Sequence, residues 1–354
     1  VGSEMCIRDR QERHFKDLKV AEDQDFCREY MGQVPVLFLS LKDVEGATFE
    51  AAYRVFASKI VVSAKRHAYL LDSPRLDDDD KVLLRKYQSS DVMRNLANID
   101  IAADFLKNML TFLAKHFDRQ AMLFLDEYDV PLAKAASRGY YNLMRDFIRA
   151  FFAVLKPEAD FELYDRPFLK KTVLTGCLRV SKESIFTGVN NFSINTICSE
   201  NVSLSACMGF TEPEVRAFLD YYGMSSRKED VKHWYDGYRF GPDEIYSPWD
   251  VLNFCQCALK STNPLEFEPD NYWIGTSSND VIDEFLGFLT EEDAERMQTL
   301  IDGGNIELEI NEELNYSDIS RHKSEDFWTA APLHRLPHHC EACRLQEISA
   351  PHPE

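Results

Sequence analysis

The sequence has no apolar run that approaches the roughly 20 residues that a membrane-spanning helix needs. Its most apolar segment, Val34 to Leu41, is short and flanked by polar residues, which is typical of a buried strand. The first ten residues include Glu4, Arg8 and Asp9 and contain no apolar core of the secretory kind. We therefore expect neither a membrane protein nor a secreted one.

Basic residues are also scarce, since 40 lysines and arginines stand against 60 aspartates and glutamates and leave a formal net charge of −20. No dense block of lysine or arginine offsets this excess. A negative surface repels the phosphate backbone of nucleic acids. The composition therefore gives no support for nucleic-acid binding and is that of an ordinary globular protein.

The nine cysteines show no disulfide-like framework, which in a chain of 354 residues predicts free thiols and a cytoplasmic location. The sequence HHCEAC at 338–343 forms half of a zinc site, but no second half lies near it. We expect no zinc there. The segment after Trp328 is better explained as an out-of-frame tail, which we place at residues 329–354.

Strand-like and helix-like segments alternate up to about residue 200, which predicts βαβ units and a parallel sheet. From about Thr211 onward, short helical patterns predict a separate, mainly helical domain. Four consecutive aspartates, Asp77 to Asp80, favour a helix N-terminus over a metal site, because acidic side chains there interact favourably with the helix dipole. The predicted elements are strands at 34–41, 122–125 and 171–177 and helices at 15–31, 48–71, 101–117, 140–155, 210–223, 230–235, 248–259 and 281–289.

The segment MLFLDEYD, Met122 to Asp129, joins four apolar residues to two adjacent carboxylates. Ligands in open α/β sheets bind at the carboxyl ends of the strands, which is where Asp126 and Glu127 would lie. In P-loop ATPases the first acid of such a pair holds Mg²⁺, usually through water, and a following glutamate polarises the attacking water. We assign these two roles to Asp126 and Glu127. The alternative is an ordinary strand followed by an acidic loop.

A second strand-like segment, TVLTGCLRVS, covers Thr172 to Ser181 and also ends in polar residues. Many ATPases place a polar or basic side chain at the end of the strand beside the acidic one, where it senses the terminal phosphate. Thr175 or Arg179 would do this here, and arginine suits the role because its planar fork binds two phosphate oxygens. The alternative for Arg179 is an ion pair with a nearby carboxylate.

These segments are part of a longer series of spaced motifs, which extends from about Phe15 to Trp328. Their order along the chain makes the series far more specific than a single Asp-Glu pair. The motifs are DEYDVPLAKA (126–135), TGCLRVSKESIFTGVNNF (175–192), FTEPEV (210–215), WYDGYRFG (234–241) with IYSPWDVLNF (245–254), and YWIGTSSND (272–280).

Together these motifs resemble the AAA-ATPase-like family of bacterial proteins. The resemblance implies a RecA-like or AAA-like P-loop sheet, followed by a helical lid or a winged-helix-like domain. It also implies that the intact protein binds and hydrolyses ATP with Mg²⁺, Asp126 being the Walker B acid. In this family a PD-(D/E)XK nuclease-like domain often follows, although no such site can be placed in this sequence.

The sequence departs from the family pattern at the phosphate-binding loop. It contains no G-x-x-x-x-G-K-[ST] motif and no Gly-Lys pair. Such a loop supplies amide donors and a lysine that Asp126 and Glu127 cannot replace. We therefore expect an α/β sheet without its first strand and phosphate loop, and no efficient ATP turnover by this chain. The expected divisions are 1–13 (artefact-like), 14–200 (partial ATPase core), 201–328 (helical domain) and 329–354 (tail).

Two other functions stay open on the sequence alone. The chain could be a non-catalytic module that binds an unknown protein partner through its helical domain. It could also be the ATPase partner domain of a nuclease-like protein.

Overall fold

The chain divides into two units, and each is described here by itself. The first comprises Val1–Phe192 with Asn315–Ser320, and the second comprises Ser193–Leu314 with Arg321–Glu354. The computed structural model describes residues 15–16, 18–156, 162–163, 166–176, 192–193, 195, 202–240, 243–272, 289–302, 306 and 327–328. Arg179, most of the helix expected at 281–289, and the segments 1–13 and 329–354 lie outside this described part.

A three-stranded parallel sheet forms the centre of the first unit. Its order is β1, β2, β5, so β2 lies in the middle. In β2, Ala121, Leu123 and Leu125 are buried and alternate with partly exposed residues, which is the period of two expected of a strand. The strands are β1 (Val36–Ser40), β2 (Ala121–Asp126), the short antiparallel pair β3 (Glu162–Leu163) and β4 (Arg166–Pro167), and β5 (Leu169–Leu174).

Helices connect the parallel strands, as the alternating sequence pattern predicts. The chain therefore has the mixed α/β architecture that the sequence predicted. The helices of the first unit are α1 (Gln24–Tyr30), α2 (Phe49–Arg66), α3 (Asp78–Gln88), α4 (Ser90–Met93), α5 (Ile99–Ala103), α6 (Phe105–Phe117), α7 (Val130–Ser137) and α8 (Tyr141–Phe151), and short 3₁₀ turns lie at Lys19–Glu22, Ala68–Asp72, Leu96–Asn98 and Phe152–Leu155.

Helix α2 begins where its cap predicts. The Thr48 hydroxyl accepts a hydrogen bond from the backbone N–H of Ala51 at 3.3 Å. The expected helix at 48–71 ends earlier, at Arg66, and the chain continues as a 3₁₀ turn. The helix expected at 101–117 is likewise divided, because Asp104 has ψ near 0° and separates α5 from α6.

The run of aspartates caps α3, as expected. Asp77 accepts from the backbone of Asp80 at 2.8 Å, and the Asp80 side chain accepts in return from the backbone of Asp77. The ammonium of Lys115 contacts Asp80 at 2.6 Å, so the last turn of α6 is tied to the first turn of α3. Within the described ranges, no group of three or more His, Cys, Asp or Glu side chains could hold a metal ion.

The second unit combines helices with a small antiparallel sheet of order β6, β8, β7. The short helical patterns in this part of the sequence predict a mainly helical domain and do not indicate the sheet, to which WYDGYRF contributes the strand Asp236–Phe240. The elements are α9 (Val202–Ser205), β6 (Phe210–Thr211), α10 (Glu212–Tyr221), α11 (Lys228–Tyr235), β7 (Asp236–Phe240), β8 (Asp243–Tyr246), α12 (Pro248–Lys260) and α13 (Glu291–Ile301), with a 3₁₀ turn at Ser225–Arg227.

The aromatic residues of the second unit mainly form its core. Tyr235, Tyr246 and Phe254 are buried together with aliphatic residues of α10, α11 and α12. Their burial makes these aromatic side chains packing residues of the core of this unit. None of the helices in the described part of the chain is long and apolar enough to cross a membrane.

Candidate functional site

The three parallel strands bring polar side chains together at their carboxyl ends. Ser40 at the end of β1 is in register with Asp126 at the end of β2. Thr175 directly follows β5, and its backbone N–H donates to the carbonyl of Leu125 at 2.9 Å. Tyr128 donates in turn to the Thr175 carbonyl at 3.1 Å. Backbone hydrogen bonding therefore fixes the positions of the Cα atoms that carry these side chains.

Two hydroxyl groups hold the Asp126 carboxylate, one from each neighbouring strand. Thr175 Oγ1 donates to Asp126 Oδ1 at 2.8 Å, and Ser40 Oγ donates to Oδ2 at 3.0 Å. The backbone N–H of Lys42 donates to Ser40 Oγ at 3.3 Å. Both oxygens of Asp126 thus accept a hydrogen bond, and each keeps lone pairs for a further ligand.

Glu127 differs from Asp126 in conformation and surroundings. Its φ is +51°, in the left-handed region that costs a residue with a side chain about 1–2 kcal/mol. Burial raises the pKa of the Glu127 carboxyl, and the negative charges of Asp126, Asp129 and Asp43 raise it further, while Lys42 opposes them. Backbone strain and a raised carboxyl pKa both occur frequently at functional sites, and a higher pKa makes a carboxylate a better proton acceptor near neutral pH.

A glycine permits the close approach of β5 to the segment after β2. A Cβ atom on Gly176 would lie 2.5 Å from Oδ1 of Asp129 and 2.7 Å from Cε1 of Tyr128. Asp129 is 1% exposed and lies directly before α7, at whose start Pro131 is also buried. Thr175 therefore places a hydroxyl beside Asp126, and Gly176, which has no side chain, leaves the space that Asp129 occupies.

The loop between β1 and α2, residues 41–48, is tied to the helices that follow β2. The Tyr140 hydroxyl donates to the Gly46 carbonyl at 2.8 Å. Glu45 forms ion pairs with Lys134 at 3.8 Å and with Arg138 at 3.4 Å. Because Lys42 and Asp43 belong to this loop, its anchoring also fixes the charges around Glu127.

The structure brings Asp126, Glu127 and Thr175 together, whereas Arg179 lies outside the described residues. Sequence reasoning missed Ser40, although one signal was present, a polar residue within the apolar strand VPVLFLSL. It also missed Gly176, whose role depends on a contact with a distant part of the sequence.

The oxygen groups at this edge suit a Mg²⁺ ion that is held only partly by the protein. Mg²⁺ prefers oxygen ligands, keeps several waters, and is usually held by one or two carboxylates together with substrate phosphates. Asp126 with two supporting hydroxyls offers such a partial site, and the described residues offer no set of three ligands for a complete protein cage.

The sequence pattern of the family described as "Predicted AAA-ATPase" matches residues 4–186, just over half of the 354 residues. The chain belongs to this AAA-ATPase-like family. The match includes β1, β2 and β5, and therefore all of the candidate site that has been described. The family assignment confirms the resemblance drawn from the spaced motifs.

A curated relative is an uncharacterized protein in the vnfD 5′ region of Azotobacter chroococcum mcd 1. It is 28% identical to this AAA-ATPase-like chain over 160 residues, which cover 45% of this chain and 27% of the relative. The match thus spans about a quarter of the relative's length. No solved structure matches the chain.

Proposed function

We propose that this chain provides the acidic, magnesium-facing half of an ATP-hydrolysing site on a P-loop, RecA-like or AAA-like sheet. The observation that carries the proposal is the Asp126 carboxylate, held by Ser40 and Thr175 at the carboxyl end of the central strand, with Glu127 next to it. That edge is where ligands bind in open α/β sheets. Membership of the AAA-ATPase-like family supports the same activity class.

Each residue then has a defined task. Asp126 would hold Mg²⁺ through water, and Glu127 would accept a proton from the attacking water. Bound Mg²⁺ would neutralise charge on the phosphate oxygens. Thr175 would sense the terminal phosphate by turning its hydroxyl from Asp126 Oδ1 to a phosphate oxygen, and Arg179 is the second candidate for that role. The raised pKa of the Glu127 carboxyl supports its task as a base.

A phosphate-binding loop of the G-x-x-x-x-G-K-[ST] kind has to come from polypeptide other than these 354 residues, because they contain no Gly-Lys pair. Without a lysine and amide donors to bind the phosphates, the carboxylates of Asp126, Glu127 and Asp43 would repel a triphosphate. We therefore propose that this chain alone does not turn over ATP efficiently.

Titration calorimetry with Mg-ATP, together with phosphate-release assays, tests this proposal. The chain is compared with a version extended by the strand and Gly-Lys-Thr loop of a family member. We expect tight binding and turnover only in the extended version, with turnover falling about 100-fold or more in Glu127→Gln. The exposed Asp100→Asn is the matched control and should behave as the parent.

Two results would contradict the proposal. Tight Mg-ATP binding by the 354-residue chain alone would show that phosphate donors exist within it. Unchanged turnover in Glu127→Gln and Asp126→Asn would show that the acidic pair has no part in the chemistry.

The second unit supports a second candidate function, the binding of a protein partner. Tyr221 is 82% exposed and Met208 is 63% exposed, so both side chains are available to contact a partner. The element order from α9 to β8, with a short strand before two helices and a hairpin after them, supports a winged-helix-like arrangement. Partner binding of this kind would be independent of Asp126 and Glu127.

A further inference from the structure

Ser40 is a polar residue at the end of an otherwise apolar strand. The residues before it in β1 include Leu37 and Leu39, which are buried, whereas Ser40 is partly exposed and in register with Asp126. A strand that needed only to fill the core would be served equally well by an apolar residue at this point. The position of Ser40 therefore calls for an explanation through its contacts.

The hydrogen bonds of Ser40 have a defined direction. Its oxygen accepts from the backbone N–H of Lys42 at 3.3 Å, and a hydroxyl has a single hydrogen to donate. That hydrogen points to Oδ2 of Asp126 at 3.0 Å. The backbone of the loop after β1 thus aims the Ser40 hydroxyl at the carboxylate.

Thr175 cannot replace this contact. It binds the other oxygen, Oδ1, and approaches from β5, on the opposite side of β2 from Ser40. With one hydroxyl alone, the carboxylate could still turn about its last bond, since that torsion is broad. Two donors on opposite sides fix both oxygens, and hydrogen bonds to an ionised acceptor are roughly twice as strong as neutral ones.

We propose that Ser40 is a positioning residue, whose hydroxyl holds the Asp126 carboxylate in the orientation that binds a magnesium-bound water. The inference rests on the proposed function, because it presupposes that Asp126 faces a divalent cation. It goes beyond that function because it gives a role to Ser40 on β1, whereas the proposed function uses only residues at the ends of β2 and β5. Groups that orient a metal ligand typically change metal affinity 10–100-fold when they are removed.

The experiment measures Mn²⁺ binding to the 354-residue chain by electron paramagnetic resonance, in which the signal of free Mn²⁺ disappears on binding. The decisive variants are Ser40→Thr and Ser40→Val, which have nearly the same shape and differ in the hydroxyl. Ser137→Ala is the control, since its hydroxyl binds the Lys134 carbonyl outside the site. Circular dichroism confirms that each variant is folded.

We expect Ser40→Val to raise the Mn²⁺ dissociation constant about 10-fold, and Ser40→Thr to stay close to the parent. In an Asp126→Asn background, Ser40→Val should have no further effect, because its target carboxylate is gone. A parent that binds Mn²⁺ no better than Asp126→Asn would overturn this inference, whereas the proposed function is refuted separately, by unchanged turnover in Glu127→Gln and Asp126→Asn of the extended version. A parent that depends on Asp126 but not on Ser40 would overturn this inference alone.

Discussion

Gly176 offers a sharp test of how closely the two central segments of the candidate site pack. In Gly176→Ala, the new methyl group would start 2.7 Å from Cε1 of Tyr128. That is about 1 Å inside the ~3.5–4.0 Å at which carbon atoms pack best. The methyl group would also lie 2.5 Å from Asp129 Oδ1 and 2.9 Å from its Cγ. Because Asp129 and Tyr128 are both buried, their side chains have little space to give way, and we expect the end of β5 to move away from the segment after β2.

The expected cost follows from measured effects of overpacking. Forcing an extra methyl into a packed site destabilises a protein by about 1–3 kcal/mol. For a domain of this size, roughly 2–4 °C of melting temperature corresponds to each kcal/mol, so we expect a fall of about 2–12 °C. Because Thr175 precedes Gly176, the shift should also lengthen its hydrogen bond to Asp126 and weaken Mn²⁺ binding.

Thermal unfolding followed by circular dichroism and the Mn²⁺ titration together form the assay. Gly139→Ala is the control, because a Cβ there meets no atom within 4 Å and only its positive φ of +78° is strained. The control should lose stability without losing Mn²⁺ affinity. A Gly176→Ala variant whose stability stays within about 0.5 kcal/mol of the parent would refute the packing argument.

Two further predictions concern carboxyl groups whose pKa is shifted. Burial and the neighbouring Asp126 raise the pKa of Glu127, so its ionised form destabilises the fold as pH rises above the ordinary value of 4.5. Glu127→Gln should therefore be more stable than the parent at pH 7, and this gain should disappear near pH 4. Burial opposes ionisation of Glu212, but hydrogen bonds from Lys228 and Tyr246 outweigh it and hold its pKa at about 2. The ionised Glu212 side chain therefore stabilises the fold fully above pH 4.5, and this stabilisation is lost as the pH falls towards 2. Glu212→Gln should lower the free energy of unfolding at pH 7 and not at pH 2.

Urea unfolding at several pH values checks both predictions. Asp100→Asn and Glu229→Gln change exposed carboxyl groups in the first and second unit and are the matched controls. A Glu127→Gln variant that is less stable than the parent at pH 7 would contradict the assigned surroundings of that carboxyl. A Glu212→Gln variant with the parent's stability at pH 7 would show that the contacts with Lys228 and Tyr246 contribute nothing.

The sequence predicted those parts of the fold whose signals are local. The apolar run at 34–41 yielded β1, and Thr48 correctly marked the start of α2. Asp77 and its neighbours indicated a helix N-terminus because capping depends on residues three positions apart. The division at Asp104 was not visible, since the apolar pattern continues across it.

Features that depend on contacts between distant segments were harder to predict. The pairing of Ser40 with Asp126 joins residues 86 positions apart, and its register cannot be read from either strand alone. The need for glycine at 176 arises from Asp129, on a different segment of the chain. Asp126, Glu127 and Thr175 could be proposed because each lies near the carboxyl end of a recognisable strand.

The link between Tyr140 and Gly46 has a mechanical consequence. It joins the start of α8 to the loop after β1, and the ion pairs of Glu45 with Lys134 and Arg138 add the end of α7 to the same body. A displacement of these helices would therefore pull Lys42 along, towards or away from Glu127. A movement of these helices, which lie outside the acidic edge, would therefore change how strongly Lys42 lowers the pKa of the Glu127 carboxyl.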